Sequence, residues 1–125
     1  VYIEPDNVWG DGEIVILVNA DTASAAEIFA YFMGKLENVT IMGMTKSTGS
    51  AMMSNSYGLR RFELSFPVML ILDENSDVLI DSDISGISNM PLDVRIPMDE
   101  EAFTSIFEEN IDYVLDYAVK YMENQ

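Results

Sequence analysis

Ser24 sits among alanines in the stretch NADTASAAEIF, Asn19 to Phe29, and Glu27 follows it three residues on. A serine and a glutamate at that spacing, just ahead of an apolar run, are the signature of a helix N-terminal capping box. A serine on the first turn of a helix, directly after a hydrophobic strand, is also where acyl-transfer enzymes hold a nucleophile. The helix start would help such a serine, because its unpaired N–H groups and its dipole favour developing negative charge. The N–H of Ala25 is then the natural oxyanion donor, and the small Ala23, Ala25 and Ala26 leave room for a substrate chain. Spacing alone leaves both roles open, cap and nucleophile.

The remaining composition narrows the chemistry. The chain has no histidine and no cysteine, so a Ser-His-Asp triad cannot be built from it alone, and cysteine catalysis and thiolate metal sites are excluded. Twenty-two acidic residues against six basic ones give a net charge of −16, which repels phosphate backbones and anionic lipid. Nucleic acid and membrane surfaces are therefore not expected partners. The longest apolar run, IVILV, is too short to span a bilayer. The acidic run DENSDVLIDSD (73–83) invites a calcium loop, but such a loop beginning at Asp73 would want glycine at Val78 and glutamate at Ile84, and the run fits a hairpin better. No metal is expected. Arg60 and Arg61 could hold a substrate carboxylate or line a solvated strand edge, and Trp9, Tyr113, Tyr117 and Tyr121 read as packing residues.

The elements that would position Ser24 follow from periodicity. EIVILVN (13–19) is a β-branched apolar run of the kind found in a central strand covered on both faces. A helix is predicted from about Ser24 to Glu37, burying Ala25, Ile28, Phe29, Phe32 and Leu36, with Gly34 weakening its last turn. NVTIMG (38–43) is a second strand, so the segment is a βαβ unit with parallel strands. Residues 45–56 read as a loop, RRFELSF (60–66) as a half-buried strand, and 68–73 and 78–81 as strands around a polar turn. Asp99 is a plausible cap for a C-terminal helical region reaching about Met122, with EEN (108–110) dividing it in two. The fold class is α/β in a single domain over residues 1–125, with a mostly parallel sheet, a β-hairpin and C-terminal helices. Starting at Val1 without a leader, the chain is expected to be a processed or excised piece of something longer.

The segment VILVNADTASAAEIFAYFMGKLENVTIMG resembles the catalytic segment of the carboxy-terminal processing, or tail-specific, peptidases. That family runs from a hydrophobic strand through a short polar link into a serine, then a glutamate three residues later, and a helix. The stretch SGISNMPLDVRIPMDEEAF is also similar to the family, through Gly86, Ile87, Pro91, Asp93 and Pro97. The resemblance covers about residues 13–122. It implies a core of the ClpP and crotonase kind, of which this chain is the later part. The upstream strands, a second oxyanion glycine and a PDZ module would lie before Val1.

By the same resemblance Ser24 is the nucleophile of a serine endopeptidase that cuts protein or peptide substrates near their C-termini through an acyl-enzyme. Ala25 N–H holds the oxyanion, and no cofactor is needed. The position of the lysine base in the family's Ser/Lys branch falls on Gly49, or on Ser50 with a one-residue gap, within the loop GMTKSTGSAM. Lys46 is the nearby lysine and a candidate base. The sequence STGSA is closer to the tricorn-like branch, which takes its base from a histidine elsewhere in the chain. The setting implied is bacterial and extracytoplasmic, and a homodimer formed through open strand edges is conceivable. The alternative is a non-catalytic relative that binds peptides or partner proteins on the same fold.

Overall fold

A computed structural model describes residues 12–49, 53–83, 86 and 88–124. Trp9, Ser50 and Ile87 lie outside the described residues. The predicted βαβ unit is present: β1 (Ile14–Leu17), α1 (Ala25–Met33) and β2 (Val39–Gly43), with β1 and β2 parallel and Ile14 opposite Val39. A short β5 (Val94–Arg95) extends the sheet on the far side of β2, again parallel, with Gly43 opposite Arg95. The strand order β1-β2-β5 makes β2 the central strand, whereas β1 was expected there. An apolar run reveals that both faces of a strand are covered, not how many neighbours it has along its edges.

The sheet separates two apolar layers. Ile16, Val18 and Ile41 pack with Ala30, Ile28 and Tyr31 of α1 and with Leu79, Ile80 and Met90 from the loops. Val15, Met42 and Val94 face the other way, onto Ile96, Ala102, Tyr113 and Ala118. Each strand therefore alternates between two cores, as its period of two requires. Asp93 fastens β5 to the centre: its Oδ2 accepts the Ile41 N–H at 2.8 Å, and its own N–H donates to the Ile41 carbonyl at 2.9 Å.

The C-terminal half of the chain forms the expected divided helical region. Asp99 caps α2 (Glu100–Phe103) through Oδ1, which accepts the Ala102 N–H at 2.9 Å. The helix widens into a π turn over Thr104–Glu108 and breaks, and α3 (Tyr113–Glu123) restarts under a cap from Asp112. Tyr113 is buried, with Tyr117 and Tyr121 packed beside it, consistent with packing roles.

Several expectations need correction. Of the expected stripe Ala25, Ile28, Phe29, Phe32 and Leu36, only Ile28 packs on the core: Phe29 is 59 % and Phe32 54 % exposed, while Glu27 and Ala30 are buried. The helix is apolar on two faces, and periodicity alone cannot choose which one meets the sheet. The strand expected at 60–66 is present as β4 (Phe62–Met69), but the end of the expected loop 45–56 is strand as well: β3 (Met53–Leu59) pairs with β4 in an antiparallel hairpin that turns at Arg60 and Arg61. β4 is exposed throughout rather than half-buried, because alternation tells which residues share a face and not whether anything covers it. The strands expected at 68–73 and 78–81 reduce to one bridge, Leu72 to Val78.

Gly34 ends α1 close to β2, where an added Cβ would stand 2.5 Å from Ile41 Cδ1. Helix propensity favours alanine there by up to ~1 kcal/mol. The fully buried Ile41 would have to shift, and overpacking costs about 1–3 kcal/mol. Gly34→Ala is therefore expected to lower the midpoint of denaturant unfolding. A second prediction concerns pH. Asp73 Oδ1 accepts the N–H groups of Asn75 and Asp77 at 2.8 and 2.9 Å. The Asp77 N–H is the main cause holding its carboxyl below the ordinary 3.8. A depressed native pKa gives stability that is present above the unfolded value and lost as pH falls through the native one. Acid titration below about pH 4 should thus weaken the 73–77 turn, and amide exchange at Asp77 should lose that pH dependence in Asp73→Asn.

Candidate active site

The link from β1 to α1 is built by its own polar side chains. Asn19 Oδ1 accepts the Asp21 N–H at 3.0 Å and the Thr22 hydroxyl at 3.1 Å, while Thr22 Oγ1 accepts the Asn19 N–H at 3.0 Å. Such self-bonded Asn and Thr turns reverse a chain tightly. The turn delivers Ser24 to the start of α1 with φ 54° and ψ −120°.

That backbone is the informative feature. An ordinary N-cap serine sits in the extended region, and its hydroxyl takes an N–H of the first turn. Ser24 and Glu27 do form a capping box, with the Ser24 side chain over the Glu27 N–H and the Glu27 carboxylate accepting the Ser24 N–H at 2.9 Å, but the serine's own contact falls short of a full cap bond and the Glu27 N–H donates to the Ser24 carbonyl oxygen at 3.0 Å. A positive φ at a residue with a side chain costs about 1–3 kcal/mol and persists only where its surroundings impose it. A serine on a sharp, strained strand-to-helix turn is also the geometry in which hydrolases present a nucleophile. Directly after it, the Ala25 N–H opens α1 and has no acceptor among the described residues, the position a helix start leaves available for an anion.

Glu27 imposes the geometry. Its side chain is fully buried, with Oε2 accepting the Ser24 N–H at 2.9 Å and Oε1 accepting the Gly49 N–H at 2.6 Å. A buried carboxylate is tolerable only when hydrogen-bond donors replace its water. The pair of amides thereby ties the serine turn to the loop after β2. Thr48 reinforces the tie: its N–H donates to the Thr22 carbonyl at 3.0 Å and its hydroxyl to the Ala20 carbonyl at 2.8 Å. On the other side of this loop, the buried Ser47 hydroxyl meets that of Ser88 at 3.3 Å. Gly49 itself has φ 73°, and a Cβ there would stand 2.7 Å from the Asp81 carbonyl oxygen. Only glycine fits.

Gly49 is one of the two positions onto which the resemblance noted above places the base, and it supplies an amide and no side chain; the other, Ser50, lies outside the described residues. Lys46 lies three residues earlier on the pinned loop and is exposed. No hydrogen bond joins it to Ser24 among the described residues. Lys46 lines a cleft of about 660 Å³ together with Ala20, Thr45, Thr48, Leu92 and Arg95. The cleft opens beyond the carboxyl ends of β1, β2 and β5, where parallel sheets place ligand sites. Arg60 and Arg61 are far from this arrangement in the fold's connectivity, at the tip of the hairpin.

Sequence reading singled out Ser24, Ala25 and Lys46 and read Glu27 as half of a capping box, which the structure contains, but it did not reach the other bond of Glu27. Its second bond, to Gly49, spans 22 residues and leaves no local trace. Arg95 was also missed, since one arginine in a short strand has no motif of its own. Glu27→Gln tests the bridge. The amide would set an NH2 group against one of the two N–H donors it must serve, and an unsatisfied buried donor costs about 1–3 kcal/mol. Unfolding in denaturant should shift by that amount.

A match to the family model described as Peptidase family S41 extends over residues 4–87, which takes in β1, α1, β2, the pinned loop and the hairpin. Searches of curated proteins and of solved structures return no significant match. Among the described residues no helix is long and apolar enough to cross a membrane. The strained serine turn, the α/β core and the matched span agree, and the chain belongs to peptidase family S41, the C-terminal processing peptidases.

Proposed function

We propose that this chain carries the nucleophile of a serine endopeptidase that cuts protein substrates near their C-termini. The observation that carries this reading is the backbone of Ser24, φ 54° and ψ −120° at the head of α1, a strained conformation outside the extended region of an ordinary N-cap.

In this reading Ser24 Oγ attacks the scissile carbonyl while its proton passes to a base. Lys46, on the loop pinned beside the serine turn, is the base proposed. The tetrahedral oxyanion takes the Ala25 N–H, helped by the N-terminal dipole of α1. The base returns its proton to the leaving amine as the C–N bond breaks, and the acyl group remains on Ser24. Water then gives a proton to the same base, adds to the acyl carbon and releases the new carboxylate, and Ser24 recovers its hydroxyl. The family resemblance also supports an extracytoplasmic, bacterial setting.

Fluorophosphonate labelling of the full-length protein tests this. Labelling is expected, with complete loss in Ser24→Ala. Loss of a general base slows such chemistry by roughly 10²–10⁴-fold, so Lys46→Ala should label at least 100-fold more slowly. Unchanged labelling in Lys46→Ala would move the base to another residue. If the intact protein does not label while a known serine hydrolase does, the nucleophile reading fails. Ser24 is then a strained cap, and the chain a peptide-binding relative on a peptidase scaffold.

A further inference from the structure

The chain has six basic residues against 22 acidic ones, yet two of the six, Lys46 and Arg95, line one cleft. The net charge of −16 opposes the approach of any carboxylate, and since Lys46 must be neutral to act as the base, the permanent charge of Arg95 is what could hold one in this cleft. Arg95 is fixed there by the sheet. It lies opposite Gly43 in the β2–β5 ladder, and the next amide, Ile96 N–H, donates to the Gly43 carbonyl at 3.0 Å. Its guanidinium has no carboxylate partner among the described residues. The nearest acid in sequence, Asp93, is engaged with the Ile41 N–H. An arginine offers a permanent charge and a planar fork of donors that matches a carboxylate with two parallel bonds. The cleft walls add the hydroxyl-bearing Thr45 and Thr48 and the apolar Leu92 and Ala20, surfaces against which a peptide can lie. Ala20 and Thr48 belong to the two segments tied together beside Ser24, so the cleft adjoins the serine turn through backbone hydrogen bonds.

We propose that Arg95 is a specificity determinant that receives a carboxylate of the peptide substrate in this cleft. The inference rests on the peptidase reading above and deepens it, naming the substrate class as peptides with a carboxylate close to the bond cut. That group is either the free C-terminus or an Asp or Glu side chain.

The test is cleavage of a randomised peptide library by the full-length protein, followed by mass spectrometry. The library is made with a free C-terminus or a C-terminal amide, and with acidic side chains free or methyl-esterified. Blocking the responsible carboxylate should lower cleavage by about tenfold, the size of one charge-assisted pair in a partly solvated site. Sensitivity to amidation identifies the C-terminus, and sensitivity to esterification the side chain. In Arg95→Gln the ratio of free to blocked cleavage should fall to about one, and Arg95→Lys should restore part of it. A protein that labels with fluorophosphonate yet cuts all the libraries equally overturns this inference alone. A preference that persists undiminished in Arg95→Gln overturns the assignment to Arg95. A protein that neither labels nor cuts overturns the peptidase reading, and this inference with it.

Discussion

The Glu27 carboxylate, fully buried and shared between the amides of Ser24 and Gly49, is the interaction on which the site depends. Burying a carboxylate is unfavourable unless its oxygens are met by donors, and here both donors come from backbone that would otherwise be free to move. The same carboxylate therefore holds a strained serine at the head of a helix and fixes a small-residue loop beside it. Thr48 repeats the tie with two bonds of its own, so the loop after β2 is part of the site's framework rather than a covering strand of chain.

This framework stands on a parallel sheet whose three strands all point their carboxyl ends at the same crevice. Ser24 follows β1, Lys46 follows β2, and Arg95 ends β5. Parallel strands gather residues that are distant in sequence into one mouth, because each strand must release its chain at the same edge. Asp93 matters for the same reason: its double bond to Ile41 sets β5 in register and thereby sets Arg95. The outer stripe of α1 and the hairpin keep large apolar side chains exposed, among them Phe29, Phe32, Phe62 and Leu64.

The local architecture was legible in the residues. β-branched runs marked β1 and β2, Asp99 marked the start of the C-terminal helical region, and Glu108 to Asn110 marked its division. The hairpin was misplaced because Ser54, Asn55 and Ser56 carry small polar side chains and become a strand only by pairing with Ser65, Phe66 and Pro67. The face of α1 was misread because the apolar stripe and the buried stripe differ. The helix buries Glu27 and brings Gly34 against Ile41, leaving its phenylalanines outside.

By itself the sequence determined the βαβ order, the serine at a helix start and the chemistries that a chain without histidine or cysteine cannot perform. Those follow from residue type and short-range periodicity, which act within a turn or a strand. Tertiary structure alone decided that Ser24 adopts a positive φ, that Glu27 reaches Gly49 and that Arg95 shares a cleft with Lys46. Each of these depends on segments 20 to 50 residues apart meeting across a sheet, and hydrogen bonds over such separations leave no periodic signal in the chain that makes them.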